Sequence, residues 1–289
     1  MGYQSVFATD LFKDQTIIVT GGGSGIGRCT AHELAALGAN VVIVGRNEEK
    51  LAGVRDEIIE DGGKVFTQTC DIRDEDSVIS VIDNVLAEYG CIHGLVNNAG
   101  GQYRTAMENI STKGFEAVVR NNLTGGFIFM RQIYLRWMKE NGGNIVNIIA
   151  DIWNGWPDFA HSGAARGGML TLSESVACEW GADNVRVNTV APGGIASSGF
   201  DTYPPEIRPK LYEYPDRVPL QRYGTESEIS AAIVYLLSPA AAYITGTCVR
   251  VDGGAPNSRQ TWTLEKSRKN QPFNGFHRTV EPEVLKNRP

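Results

Sequence analysis

The sequence predicts an α/β protein: one parallel sheet of about seven strands, doubly wound, with helices on both faces. Two observations carry this expectation. First, apolar β-branched runs alternate with helix-periodic stretches along the chain, and each run is nearly continuous in apolar residues, as strands covered on both faces require. Second, a glycine-rich turn, Thr20-Gly21-Gly22-Gly23-Ser24-Gly25-Ile26-Gly27, links the apolar run Ile17-Ile18-Val19 to a helical stretch from Gly25 to Leu37. Strand, glycine turn and helix in that order form a seat for a dinucleotide. Gly21 lets the chain turn off the strand, Gly25 lets backbone N–H groups approach a pyrophosphate, and Gly27 lets the helix sit close to the sheet. The phosphates would then meet the positive end of the helix dipole.

The remaining elements follow in turn. Asn40 to Val44 is a second strand, ending at Gly45-Arg46, and residues 47–61 are helical up to Gly62-Gly63. Val65 to Thr69 is a third strand, followed by a helix from Asp74 to Tyr89 that Gly90 stops. Leu95-Val96 forms the core of a fourth strand and runs into Asn97-Asn98-Ala99-Gly100-Gly101. A long helix is expected from Ser111 to Asn141, then a fifth strand from Asn144 to Ile149 and a polar, aromatic loop from Ala150 to His161. A helix from Ser162 to Trp180, a strand from Val185 to Val190, a helix from Glu226 to Leu237 and a strand from Thr247 to Val251 complete the pattern. No linker or repeat divides it, so residues 1–254 are expected to form one domain, with a substrate lid near 195–219 marked by its prolines and aromatics. Residues 255–289 are charged and form no clear element; they read as a tail that wraps the domain or a neighbouring subunit, or as partly disordered.

Composition narrows the function classes. In 289 residues, 42% are hydrophobic, enough for a sizeable core, and the net charge of −6 argues against nucleic acid as a partner. No apolar stretch approaches the length of a membrane span, and residues 1–15 lack the basic and apolar regions of a secretory leader. Cys29, Cys70, Cys91, Cys178 and Cys248 are scattered without metal-ligand spacing and read as reduced core thiols.

Thr20-Gly21, Gly25-Ile26-Gly27, Asn97-Asn98-Ala99-Gly100, Asn122-Leu123-Thr124-Gly125, Arg186-Val187-Asn188 and Pro192-Gly193 occur in one order. Together, over roughly residues 12–254, they resemble the short-chain dehydrogenase/reductase family. The resemblance implies a Rossmann fold, a nicotinamide cofactor and a homodimer or homotetramer. It also implies a cofactor site built from Gly21, Ser24, Gly25, Ile26, Gly27, Asp71, Ile72, Asn98, Ala99, Gly100, Arg166, Pro192, Gly193, Ile195 and Ser197. The catalytic positions depart from the family. Its serine, tyrosine and lysine fall on Ile149 or Ala150, on Ser162 and on Arg166, while the helix asparagine is kept as Asn122.

That departure changes the chemistry expected. A tyrosine beside a cationic lysine moves protons at a carbinol oxygen, and Ser162 has no such accessible pKa. Reduction of a C=C bond conjugated to a thioester needs less, because hydrogen-bond donors suffice to steady the enolate. Gly142-Gly143-Asn144-Ile145-Val146-Asn147-Ile148-Ile149, His161-Ser162-Gly163-Ala164-Ala165-Arg166 and Asn98-Ala99-Gly100-Gly101-Gln102 are similar to segments of peroxisomal trans-2-enoyl-CoA reductases, with 2,4-dienoyl-CoA reductases close by. The final Lys286-Asn287-Arg288-Pro289 is not a peroxisomal address, so a cytoplasmic protein is expected.

Individual residues extend the expectation. Arg46, about 19 residues after Gly27, follows Gly45 where an acid would favour NAD; its planar fork suits a 2′-phosphate, which favours NADP(H), the alternative being a solvated surface arginine. Ser162 reads as a donor to a thioester oxygen or as an N-cap. Arg166, one turn on, would hold the nicotinamide ribose or form a structural ion pair. Tyr103 and Asp151 are the candidate proton donors. His161 reads as a satisfied partner beside the core, and Trp153 with Trp156 as the wall of an acyl pocket or as plain packing. The leading expectation is an NADPH-dependent enoyl-CoA or dienoyl-CoA reductase. The rivals are a carbonyl reductase or alcohol dehydrogenase with a substitute acid, and an NADP-binding protein without turnover.

Overall fold

The computed structural model describes residues 2–202, 205–258, 263–264, 266 and 270–286. Seven strands, β1 (Thr16–Thr20), β2 (Asn40–Gly45), β3 (Lys64–Thr69), β4 (Gly94–Asn97), β5 (Gly143–Ile148), β6 (Val185–Pro192) and β7 (Cys248–Val251), form one sheet in the order β3-β2-β1-β4-β5-β6-β7. Each pairing is parallel.

Alternation within each strand explains why helices must cover both faces. In β1, Ile17 and Val19 enter one apolar layer and Ile18 the other; in β2, Val41 and Ile43 part from Val42 and Val44 in the same way. The first layer is closed by α1 (Gly25–Ala36), α2 (Glu48–Glu60) and α9 (Glu226–Leu237), through residues such as Leu34, Ile58 and Ile233. The second is closed by α3 (Glu75–Tyr89), α5 (Gly125–Ile133) and α7 (Ala160–Trp180), through Ile82, Phe129 and Met169. Burying each such side chain contributes roughly 1.5–3 kcal/mol. Helix starts are set locally: Asn47 caps α2, Asp74 caps α3, and Thr225 with Glu228 forms a capping box on α9. Gly90, at φ +70°, ends α3.

The stretch expected as one long helix is helical throughout but not uniformly α. Between α4 (Thr112–Val119) and α5 lies a π turn, Arg120–Thr124, and a second, Tyr134–Met138, precedes α6 (Lys139–Asn141). Helix α7 begins at Ala160, two residues before the expected start. In the expected lid, the described residues form short turns at Ser198–Thr202 and Pro205–Ile207, a short helix α8 (Arg208–Glu213) and a turn at Tyr214–Arg217. Residues 203–204 of the lid lie outside the described residues, as do 259–262, 265, 267–269 and 287–289 of the tail, including most of its terminal tetrapeptide.

The described part of the tail lies against the domain. Phe276 is buried between Tyr3, His32 and the Arg28 guanidinium, and its N–H donates to Ser227 Oγ. Arg278 pairs with Glu60 and Asp61, and a short helix α10 (Glu283–Lys286) reaches Asp201 through the Val284 N–H. No described helix is long and apolar enough to cross a membrane.

Candidate active site

β1 and β4 are neighbours where the winding of the sheet reverses, so their C-terminal ends open a crevice. The glycine turn lies there. A Cβ on Gly27 would collide with the Gly21 carbonyl oxygen and stand 2.5 Å from Asn98 Nδ2. Gly21 has φ +68° and Gly25 φ +56°, in the left-handed region that favours glycine. Thr20 ties the two strand ends together: its Oγ1 accepts the Asn98 and Ala99 N–H groups, each at 3.0 Å, and donates to the Val96 carbonyl at 3.3 Å. Asn98 Nδ2 donates to the Thr20 carbonyl at 3.0 Å. Ser24, exposed at the start of α1, makes no side-chain cap bond, which leaves first-turn N–H groups for an acceptor from outside the helix. A turn packed too tightly for a methyl group at Gly27 and open at Gly25, beside a helix N-terminus, fits a dinucleotide pyrophosphate.

Residues expected to contact the rest of the nucleotide ring this turn. Arg46 is exposed just beyond β2, and its charge helps hold the Asp71 carboxyl down. The larger cause is Arg73, whose Nε and Nη2 donate to Asp71 at 2.8 and 2.5 Å; Asp71 falls to about 2. Asp71 is not a helix cap, since Asp74 holds that position. Ile72 is buried and packs against Gly125 closely enough that a Cβ there would lie 2.7 Å from its Cδ1. Pro192 ends β6 and Gly193 follows it; a Cβ on Gly193 would stand 2.7 Å from Asp252 Cα. Ile195 is buried and bridges to Gly224, and the Ser197 carbonyl accepts from the Phe200 N–H.

On the other side of the crevice, Asn122 lies in the first π turn, a distortion frequent at functional sites. Its Oδ1 accepts from the Gly101 N–H at 3.0 Å, and its Nδ2 donates to the Gly101 and Val118 carbonyls at 2.7 and 2.9 Å. A Cβ on Gly100 would collide with Arg166 Nη2 and lie 2.6 Å from Asn122 Oδ1, so Gly100, Asn122 and Arg166 meet. Ser162 does not cap α7, because Phe159 is at the cap; it is fully buried in the first turn, its Oγ 3.5 Å from Gln102 Oε1. Arg166 forms no ion pair among the described residues. Its Nη1 donates to the Ile148 carbonyl at 2.6 Å, its Nε has no partner, and burial pulls its pKa down to about 10, leaving it protonated at neutral pH.

His161 is likewise not the satisfied residue expected: it is fully buried and neither ring nitrogen has a partner. Tyr103 covers it edge-on, ring centroids 4.6 Å apart, while the tyrosine hydroxyl lies against Gly114 in α4. An Arg104–Asp158 ion pair fastens the loop after β4 to the loop after β5.

Asp151 belongs to a different group. Its N–H donates to the Pro192 carbonyl, its Oδ1 is buried without a partner, and burial raises its pKa, with the Asp252 charge adding to the effect. Asp252, after β7, and Tyr214, after α8, face it, and neither was evident from the sequence. Tyr214 Oη accepts from the Gly194 N–H at 2.9 Å, and burial beside the two carboxyls raises the phenol. Arg250 lies 3.5 Å from Asp252 and stacks over the Trp153 ring at 5.3 Å, while Trp156 packs on Phe159. A cavity of about 530 Å³ opens beside Asp252, lined among others by Gly194, Leu220, Arg222 and Arg250; neither tryptophan lines it.

A glycine cradle at the switch point, with a buried asparagine in a π turn and a buried cation beyond it, is the arrangement of a dinucleotide-binding protein of the doubly wound class. The family model described as enoyl-(acyl carrier protein) reductase matches residues 21–256, and the chain belongs to the short-chain dehydrogenase/reductase family. The (3E)-enoyl-CoA-producing peroxisomal 2,4-dienoyl-CoA reductase of Danio rerio is 34% identical over 261 residues, 88% of this chain and 85% of its own. A probable 2,4-dienoyl-CoA reductase of Bacillus subtilis is 34% identical, covering 84% of this chain and 96% of its own. Among solved structures, the citronellol catabolism dehydrogenase (AtuB) of Pseudomonas aeruginosa PAO1 is 54% identical, covers 88% of this chain and all of its own, and superposes with a TM-score of 0.80. The family and its fold imply a nicotinamide cofactor and a small-molecule substrate.

Proposed function

We propose that the protein is an NADPH-dependent reductase of an activated C=C bond in an enoyl-CoA or dienoyl-CoA, working in the cytoplasm as a homodimer or homotetramer. The observation that carries this reading is Arg166: a buried guanidinium, without a carboxylate partner among the described residues, one helical turn from Ser162. A buried cation left unpaired costs several kcal/mol and is retained where negative charge arrives or develops. The dienoyl-CoA reductases among its relatives support the substrate class.

The residues divide the work. The Gly21–Gly27 turn, Asn98 and Arg166 would hold the nicotinamide nucleotide, with Arg46 on its 2′-phosphate. When bound, the nucleotide would supply hydride to the β-carbon of an enoyl-CoA, or to the δ-carbon of a 2,4-dienoyl-CoA whose product keeps a 3,4 double bond. Ser162 Oγ and the Arg166 guanidinium donate to the thioester oxygen as it becomes an enolate, each such donor being worth about tenfold or more in rate. Asn122 fixes the Gly101 backbone behind them. Asp151 keeps its proton further up the pH scale than an ordinary aspartate and can give it to the enolate carbon; Tyr103, its hydroxyl turned toward Gly114, is the lesser donor.

One mixture separates this reading from its rival. Purified protein and NADPH are given crotonyl-CoA, a longer enoyl-CoA, a dienoyl-CoA and a panel of aldehydes, and the reduced cofactor is followed by absorbance. Oxidation with the CoA esters alone is the expected result. Oxidation with aldehydes alone would favour a carbonyl reductase or alcohol dehydrogenase, the reading that the citronellol catabolism dehydrogenase supports. Arg46→Ala is expected to weaken NADPH far more than NADH; equal weakening would remove the phosphate role.

A further inference from the structure

Among the described residues, the glycine turn is open at Gly25, whereas Cβ atoms on Gly21, Gly22, Gly23 and Gly27 would each meet packed neighbours. A Cβ built on Gly25 would have a single neighbour within 4 Å, the Oε1 of Glu226, at 3.8 Å. Glu226 is the first residue of α9 and reaches the turn from outside the sequence motif that marks the nucleotide site. Its position is fixed from several directions. Thr225 and Glu228 close the capping box, Arg222 pairs with Glu228 at 2.7 Å, and the tail holds the same helix end through Phe273 and Phe276.

Glu226 itself makes no hydrogen bond or ion pair among the described residues. Facing it are Arg28 and Cys29 on α1, with Glu33 and Tyr3 behind Cys29, and Glu228 and Arg222 follow at the same helix end. Arg28 is the nearest counter-charge, but its guanidinium is committed to Glu57 by two hydrogen bonds of 2.7 and 2.8 Å. Glu33 is occupied by the hydroxyls of Tyr3, Ser5 and Ser230, and burial raises its own carboxyl. Cys29 and Tyr3 are buried and held neutral.

We propose that Glu226 is a proton-sensing residue of the dinucleotide site: ionised, its carboxylate opposes the pyrophosphate at Gly25, and protonated, it admits it. The inference rests on the reading of the glycine turn as the pyrophosphate seat. Burial lifts the Glu226 carboxyl to about 7, with Arg28 opposing, so the change of charge falls in the neutral range. The sign follows directly. An anion placed beside an ionisable acid favours its protonated form, so binding takes up a proton and affinity falls as pH rises through neutrality. Two charges a few ångströms apart near a protein surface supply ample energy for a tenfold effect.

The test is the dissociation constant of NADPH, by calorimetry, for wild type and Glu226→Gln at pH 6, 7 and 8. The amide keeps the shape of the side chain and removes the charge, and a thermal melt confirms that the variant is folded. Comparing the two proteins in one buffer cancels the ionisation of the cofactor's own 2′-phosphate. Relative to Glu226→Gln, the wild type is expected to bind equally well at pH 6 and about tenfold more weakly at pH 8. Parallel curves for the two proteins would overturn the inference while leaving the nucleotide site in place. No binding by either protein at pH 6 would overturn the pyrophosphate seat and the inference together.

Discussion

The two walls of the crevice are built on opposite principles. On the β1 side, polar groups satisfy one another: Thr20 Oγ1 is shared by two N–H donors and a carbonyl, and Asn98 Nδ2 closes the turn. On the β5 to β7 side they do not. Six buried side-chain polar atoms lack a hydrogen bond among the described residues, and all but Thr30 Oγ1 belong to Asp151, His161, Arg166 and Asp252, whose Oδ2 has only the 3.5 Å ion pair with Arg250. Unsatisfied buried groups cost about 1–3 kcal/mol each, more when charged, so their clustering requires a cause. The β1 wall, where we propose the nucleotide sits, is a pre-formed mould. The reaction wall stores unmet hydrogen-bonding capacity, which we read as capacity for a substrate whose charge changes during turnover.

Substitutions can break or sharpen this contrast. The largest effect is expected in the mould. Gly27→Ala drives a methyl into the backbone oxygen of Gly21, which cannot swing aside. Overpacking of this kind costs about 1–3 kcal/mol, and NADPH affinity measured by calorimetry should fall at least a hundredfold; unchanged affinity would show that the crevice is not the nucleotide seat. On the reaction wall, Ser162→Ala removes one donor whose only partner among the described residues is Gln102, at 3.5 Å. Turnover on a CoA ester should fall about tenfold with the melting temperature nearly unchanged. A loss of stability with full turnover would reduce Ser162 to packing. The smallest effect is one of shape. Asp151 donates only while protonated, and its pKa is raised, so turnover should decline on the alkaline side as that proton is lost. In Asp151→Asn the limb should flatten over a lowered rate; an identical profile would move the donor elsewhere.

The glycine turn of the β1 wall was legible in the sequence because its demands are local. Gly21, Gly25 and Gly27 must be glycine for reasons set within seven residues, and the apolar runs gave β1 to β7 to within a few residues. The reaction wall was legible only in outline. Ser162 and Arg166 stand at motif positions, but their burial depends on α7 starting at Ala160 and on loops from β4 and β5 closing over it. The two π turns each add one residue to a helical turn without a distinctive composition, so Asn122 could be placed on a helix but not aimed at Gly101. That His161 lacks partners is a property of its surroundings, not of histidine. Asp252, Tyr214 and Glu226 meet their neighbours across long sequence separations, and no spacing rule links Glu226 to Gly25.

Arg166→Met tests the central claim most directly, because it sets stability against function. Methionine fills the volume without charge, giving up one charge-assisted hydrogen bond to Ile148, worth about 1.5–3 kcal/mol, and relieving an unpaired buried cation that costs several. Measured side by side, the melting temperature should rise while turnover on a CoA ester falls by at least a hundredfold. A variant that melts lower and still turns over would contradict the account, since Arg166 would then be a structural residue and the reaction wall would hold nothing in reserve.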